Sequence, residues 1–377
     1  MGEAVNISRR NLLRTGAIGA AGITLAGASK LGIAAAPVAP QCSNPEQDLQ
    51  AKREEVEAFF RDYYDARDML DVDRFMSHWA DSATSDDIVL NANGPCATPQ
   101  AKANVRAGSV RLFGNLKAPG HLARFVHAVG DMKYGVVAEW VLVAGSFFKS
   151  PADLLNVFNL DGGLISYKPD YWDSGQLTST EIFSTDPAIK EGVANPAIPV
   201  HPGGVPRQGK CTTEYPLNTR YASPEMLAFM TKFHAALSSG SAGRIVRYFT
   251  DDALYINPVL RLHQGDTGYG PYNRGIQIRG QKMIARMFDA VLPLLPDAKD
   301  STVLHVVGGT PGGGYEWNSG GIYAKEGLTK SGIRGATAID LFGDRITRMS
   351  VKFDTMQMSQ DQRDAIRRAL AGACLAD

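Results

Sequence analysis

From Gln47 onward the apolar positions recur at helical spacing, and Val56, Phe59, Phe60 and Tyr63 fall on one face, which predicts an amphipathic helix. A second, short helix is expected over residues 71–79 and a third near residues 99–113. The pattern then changes to alternation and short apolar runs at 123–129, 135–148, 153–160 and 164–172, as in strands of a curved antiparallel sheet. Periodicity stops over residues 185–222, a stretch rich in proline and glycine that reads as a linker.

The same order then begins again. Ser223 and Pro224 open a helix over 224–238, further helices are expected at 242–249 and 281–292, and strands at 301–307, 314–324, 333–342 and 345–356. Four local matches mark a repeat. Ala80-Asp81-Ser82-Ala83 returns as Thr250-Asp251-Asp252-Ala253, and Phe125-Val126-His127-Ala128-Val129-Gly130 returns as Val303-Leu304-His305-Val306-Val307-Gly308. Glu139-Trp140 returns as Glu316-Trp317, and Tyr171-Trp172-Asp173 as Lys352-Phe353-Asp354. The expected fold is therefore α+β: two tandem cone-shaped domains, 41–184 and 223–358, each a curved antiparallel sheet wrapped around helices, with a C-terminal helix at 359–377.

Residues 1–40 stand apart. Ser8-Arg9-Arg10-Asn11-Leu12-Leu13 places a twin arginine before a weakly apolar Gly/Ala-rich run, the pattern of a twin-arginine export signal, so a periplasmic or extracellular location is expected. Glycines and Lys30 dilute that run, which argues against a membrane anchor, and no membrane association is expected after signal cleavage. Without residues 1–40 the chain carries 35 basic and 38 acidic side chains, which excludes a phosphate-tracking surface and with it a nucleic-acid partner. Cys42, Cys96, Cys211 and Cys374 are spaced too widely for a zinc ribbon; in an oxidising compartment they form one or two disulfides or remain free thiols. No metal site and no cofactor are expected, and a homo-oligomer is compatible with the sequence.

Asp251-Asp252-Ala253-Leu254-Tyr255-Ile256-Asn257-Pro258 resembles the helix-to-strand passage of ketosteroid isomerases, and Ile339-Asp340-Leu341-Phe342-Gly343-Asp344-Arg345-Ile346 resembles that family's penultimate hairpin. Tyr63-Tyr64-Asp65-Ala66-Arg67-Asp68 is similar to the tyrosine-plus-aspartate helix of SnoaL-like dehydratases. Both halves thus resemble the SnoaL and ketosteroid-isomerase-like group of the nuclear transport factor 2-like superfamily. The resemblance implies a cofactor-independent dehydratase or isomerase acting on a hydrophobic polycyclic, polyketide-like or steroid-like hydroxy-ketone; the alternative is an exported protein that binds an apolar small molecule without chemistry.

Carried over residue by residue, the resemblance puts the tyrosine at Tyr63 in the first half and Phe233 in the second, and the base at Asp87 and Asn257. It puts the second donor at Asn156 and Asp340. Tyr63, Asp87, His127, Asn156 and Asp68 are then the expected catalytic set, because moving a proton beside a carbonyl needs a base and donors for the developing oxyanion. Phe59, Trp79, Phe125 and Trp140 are expected to line the substrate pocket, and His305 and Asp340 are the candidates in the second domain. Each also has a structural alternative: Tyr63 as a core tyrosine, Asp87 as a strand-end acid, and His127 as a framework residue shared with His305.

Overall fold

The computed structural model describes residues 45–87, 100–115, 119–120, 122–143, 152–173, 218–257, 277–295, 301–319, 333–355, 358 and 360–374. The expected export signal, Cys42, Cys96, Cys211 and residues 185–217 of the expected linker lie outside the described residues. Residues 44–377 form one compact unit.

Helix α1 (Pro45–Asp68) carries Glu46 and Asp48 in its first turn and Arg67 in its last, which complements the helix dipole. It buries Val56, Phe60, Tyr63 and Tyr64 completely or nearly so. Fully burying each such side chain contributes about 2 kcal/mol, so packing rather than propensity holds the helix. Helix α2 (Val72–Ser77) begins at Asp71, whose side chain accepts from the Arg74 amide, and α3 spans Lys102–Asn115. In the second half, α4 (Pro224–Ser238) starts at Ser223, which accepts from the Met226 amide, with proline in the first turn, where its missing N–H costs nothing. Helices α5 (Ala242–Ile245), α6 (Gln281–Val291) and α7 (Gln360–Cys374) follow among the described residues.

The strands are β1 (Trp79–Asp87), β2 (Gln100–Ala101), β3 (Ala123–Asp131), β4 (Gly135–Leu142), β5 (Ala152–Asp161) and β6 (Leu164–Trp172). Then follow β7 (Phe249–Ile256), β8 (Gln277–Arg279), β9 (Thr302–Gly309), β10 (Gly312–Ser319), β11 (Ile333–Phe342) and β12 (Arg345–Phe353). They form two six-stranded sheets of the same order, β2-β1-β6-β5-β4-β3 and β8-β7-β12-β11-β10-β9. The expected antiparallel meander is present in each, and one strand, β1 or β7, joins it in parallel beside β6 or β12. The repeat extends to irregularities: β3 bulges between Phe125 and His127, and β9–β10 slips at the matching place opposite Glu316 and Trp317. A second shift, Asn159/Leu160, recurs as Asp340/Leu341. Asn218 and Ala222, at the end of the expected linker, already bridge to His305 and Gly308, so among the described residues the second cone includes residue 218.

One apolar core fills each cone. A third, made of Val129, Val137, Leu155, Val157 and Tyr171 with Val307, Ala336 and Ala338, joins the two sheets face to face. Glycines set how closely the sheets approach. A methyl group on Gly135 would lie 3.0 Å from Val307 Cβ, and one on its repeat-mate Gly312 would lie 2.8 Å from Val129 Cγ2. Gly314 and its own repeat-mate Val137 oppose each other, as residues near a twofold axis do.

Candidate functional site

Strand register fixes which residues of the two cones correspond. Glu139 pairs with Leu155 and Glu316 with Ala336, so Asn156 corresponds to Thr337, and Asp340 corresponds to Asn159. This corrects the sequence assignment that matched Asn156 with Asp340. Side chains agree with the register: Trp140 Nε1 donates to Asn156 Oδ1, and Trp317 Nε1 donates to Thr337 Oγ1 at 3.1 Å.

In the first cone, α1 presents Tyr63 and Tyr64 to the inner face of the sheet. The Tyr64 hydroxyl donates to Asn156 Oδ1 at 2.7 Å, and its ring stacks on Trp140 with centroids 5.5 Å apart. The Asn156 amide nitrogen donates to the Pro169 carbonyl at 3.2 Å and to the Asp170 carboxylate, which Lys168 Nζ also grips at 2.7 Å through both oxygens. Asn156 therefore has no donor left over. Sequence reasoning expected it to offer one to a ligand; its amide instead locks Tyr64, Trp140 and Asp170 together.

Tyr63 is different. Its ring is walled in by Phe60, Tyr64, Phe75, His78, Trp79 and Phe158 at centroid distances of 4.8–6.4 Å. Its hydroxyl is buried with no acceptor, and so is the Trp79 indole N–H in the same cluster. Burial pushes the phenol far above its ordinary pKa; Arg67 offsets a part and Asp170 adds to it. Tyr63 is thus a neutral donor throughout the working pH range. Phe233 and Phe249 occupy the corresponding places in the second cone, where they pack against each other with centroids 6.3 Å apart and bring no polar atom.

Two expected catalytic residues, His127 and Asp68, do not join this cluster. The resemblance puts His127 in the catalytic set, and residues two apart on a regular strand would bring it to the face of Phe125. The bulge between them turns Phe125 toward Tyr64 and His127 to the other side of the sheet, where its Nε2 lies 2.8 Å from Asp340 of the second cone. Asp68 accepts from the amides of Leu122 and Ala123, both at 2.9 Å, and so fastens the end of α1 to the entry of β3. Asp87 ends β1 in register with Asp170; its side chain lies outside the described residues. Of the expected lining, Trp79, Phe125, Trp140 and Phe59 all belong to the first cone's core. His305, the second-domain candidate, is buried with Nδ1 3.1 Å from Glu316 Oε2.

Sequence reasoning missed Lys168 and Asp170. Their signal is two charges spaced two apart on a strand whose neighbours Ile165 and Trp172 face the core.

The seam between the cones is charged. Arg348 grips Glu139 through both carboxylate oxygens at 2.6 and 2.8 Å, and Lys352 Nζ lies 3.9 Å from Asp153. These four residues line a cavity of about 140 Å³ together with Gln277, Trp140, Leu154, Leu254, Ile256 and Val126. Burial pushes the Glu139 carboxyl up, but Arg348, Lys352 and His127 outweigh it and hold it down at about 2. No group of three or more metal-ligating side chains occurs among the described residues, and no described helix is long and apolar enough to cross a membrane.

No family model matches the sequence, and no curated protein does. Among solved structures, the chain overlaps a bacterial protein with a cystatin-like fold from Silicibacter pomeroyi at 15% identity and a TM-score of 0.28, over 41% of this chain and 90% of that one. It overlaps a SnoaL-like protein of unknown function from Burkholderia thailandensis at 12% identity and 0.26, over 34% and 93%. An NTF-2 like protein of unknown function from Burkholderia xenovorans overlaps at 14% identity and 0.26, over 32% and 84%. The cone architecture itself, a mixed α+β fold with two separate sheets, rests on the strand pairing above.

Proposed function

We propose that the first cone takes up an apolar hydroxy-ketone and acts on it as a cofactor-independent isomerase or dehydratase, while the second cone serves as its support. The observation that carries this is the pair of buried donors without acceptors, Tyr63 Oη and Trp79 Nε1. A buried donor left unpaired costs about 1–3 kcal/mol, and an acceptor oxygen supplied by a ligand removes that cost. Two neutral donors that reach one carbonyl oxygen of a ligand would also stabilise the charge that develops on it when a neighbouring C–H proton leaves. Asp170, whose charge acts on the Tyr63 phenol and which Asp87 faces in strand register, is the candidate to move that proton.

The reading favours an enolate route over a Tyr/His elimination, because Tyr63 keeps its proton and His127 lies on the far side of the sheet. Asp170 is itself held by Lys168 and Asn156, and that arrangement favours the second reading, a binding protein whose carboxylate is structural. The two are separated by incubating the protein with 2-tetralone and fused-ring β-hydroxy-ketones in D₂O and following α-proton exchange and loss of water by NMR. Catalysis accelerates exchange, and Tyr63→Phe lowers it by about a hundredfold; a binding protein leaves exchange at its spontaneous rate while shifting the ligand resonances.

The twin arginine adds export to this proposal. Arg9→Lys together with Arg10→Lys retains the precursor in the cytoplasm on fractionation; unchanged appearance of the mature chain outside it refutes the route.

A further inference from the structure

We infer that the molecule taken up by the first cone is a carboxylic acid, held at the rim by Arg67. This rests on the reading that the first cone binds a ligand. Arg67 lies one turn beyond Tyr63 and three residues beyond Tyr64 on the same helix, so the three share a face. Its guanidinium sits 4.3 Å from the Trp140 ring centroid and 5.9 Å from that of Phe75, bridging two walls of the cluster that encloses Tyr63 and Trp79. It is close enough to act on the ionisation of both tyrosines.

The neighbouring cations are matched. Arg61 pairs with Glu57, Arg74 with Asp62 and Asp65, and Lys168 with Asp170. Arg67 makes its two ring contacts and, among the described residues, its guanidinium has neither a carboxylate nor a hydrogen-bond acceptor. A half-buried guanidinium held over an indole face can still offer its N–H groups to a planar two-oxygen acceptor. The cluster thus offers an indole N–H, a phenol O–H and a guanidinium edge without acceptors of its own. A ligand rich in acceptor oxygens with one negative charge complements all three. One uncompensated cation matches the single charge of a carboxylate better than the nearly double charge of a phosphate monoester.

The test uses two probes of nearly equal shape, 2-naphthoate and 2-acetylnaphthalene, titrated into the full mature chain and followed by tryptophan fluorescence and calorimetry. The acid binds about tenfold or more tightly than the ketone, as a charge-assisted pair requires. Arg67→Gln weakens the acid far more than the ketone and so erases the difference, and Arg67→Lys keeps part of it. Far-UV circular dichroism and the melting temperature establish that each variant is folded. Equal affinity for both probes, with no effect of Arg67→Gln, overturns the inference while the ketone-binding reading stands. Binding of neither probe overturns both.

Discussion

The hydroxyl of Tyr171 in the first cone donates to the carboxylate of Glu316 in the second at 2.5 Å. The repeat returns this contact with its chemistry changed: Lys352, at the place of Tyr171, faces Glu139, at the place of Glu316, and lowers its pKa. Each glutamate is buried in the seam and served by the last strand of the other cone. The tandem chain is thus built like an isologous dimer whose two halves no longer need to be alike. One half can carry ligand chemistry while the other fills its interior, and the exchange of Tyr63 and Trp79 for Phe233 and Phe249 fits that division.

Glu139 and Arg348 are the seam pair most exposed to a single substitution. Arg348→Met leaves a buried carboxylate without its cation and is expected to cost about 3–5 kcal/mol in urea-unfolding experiments. Glu139→Leu combined with Arg348→Met removes both charges and regains most of that loss. A double variant as unstable as the single one would mean that packing, not charge pairing, dominates there.

Acid should loosen the same seam. For Glu316, burial raises the carboxyl pKa, but Arg334, His305 and Tyr171 outweigh it, so it too is held at about 2 against an ordinary 4.5. A folded-state pKa below the unfolded value gives stability that is fully present above about pH 4.5 and fades as pH falls toward 2. The urea midpoint is expected to drop steeply through this window. Glu139→Gln should lower stability at pH 7 and flatten the drop; an unchanged slope would remove Glu139 from the acid response.

Asp68 separates a structural from a catalytic carboxylate. It takes two backbone N–H bonds at 2.9 Å, so Asp68→Ala strands both amides and is expected to cost about 2 kcal/mol. Asp68→Asn keeps an acceptor oxygen and should preserve turnover per folded molecule. Loss of turnover in a stable Asp68→Asn protein would return this residue to the reacting centre.

The tandem cones were legible because the repeat is carried by residues that set the sheet: the inward Trp140 and Trp317, the seam glutamates beside them, and the glycines at the β-turns. The candidate cluster was legible only in part. The inward placement of Tyr63 was legible because it sits on a regular helix, where spacing alone assigns the face. His127 did not, because a one-residue bulge reverses the face of everything after it and leaves no mark in a single sequence. Asn156 was found but given a free donor, since the demands of Asp170 and Pro169 on its amide come from a strand pairing that spacing does not reveal. The mismatch of Asn156 with Asp340 has the same cause, for counting along the chain cannot fix the register of β11 against β10 as hydrogen bonding does.

Tyr63 gives the sharpest test, because structure and function pull its stability in opposite directions. In the free protein its hydroxyl is a buried donor without an acceptor, so Tyr63→Phe removes an unsatisfied group and barely changes volume. The expected result is a variant as stable as the parent or about 1 kcal/mol more stable, with ligand affinity or turnover reduced at least tenfold. Phe233→Tyr is the mirror experiment. It places a hydroxyl in the second cone beside Phe229, Tyr248 and Phe249, and is expected to cost about 1–3 kcal/mol with no gain in binding. A residue kept for packing alone would give another outcome: Tyr63→Phe would leave the ring packing and the stability as they are, and ligand binding would be indifferent to it. Thermal melts and calorimetric titrations on the two variants decide between these, since only a functional donor makes the less polar protein both more stable and less able to hold its ligand.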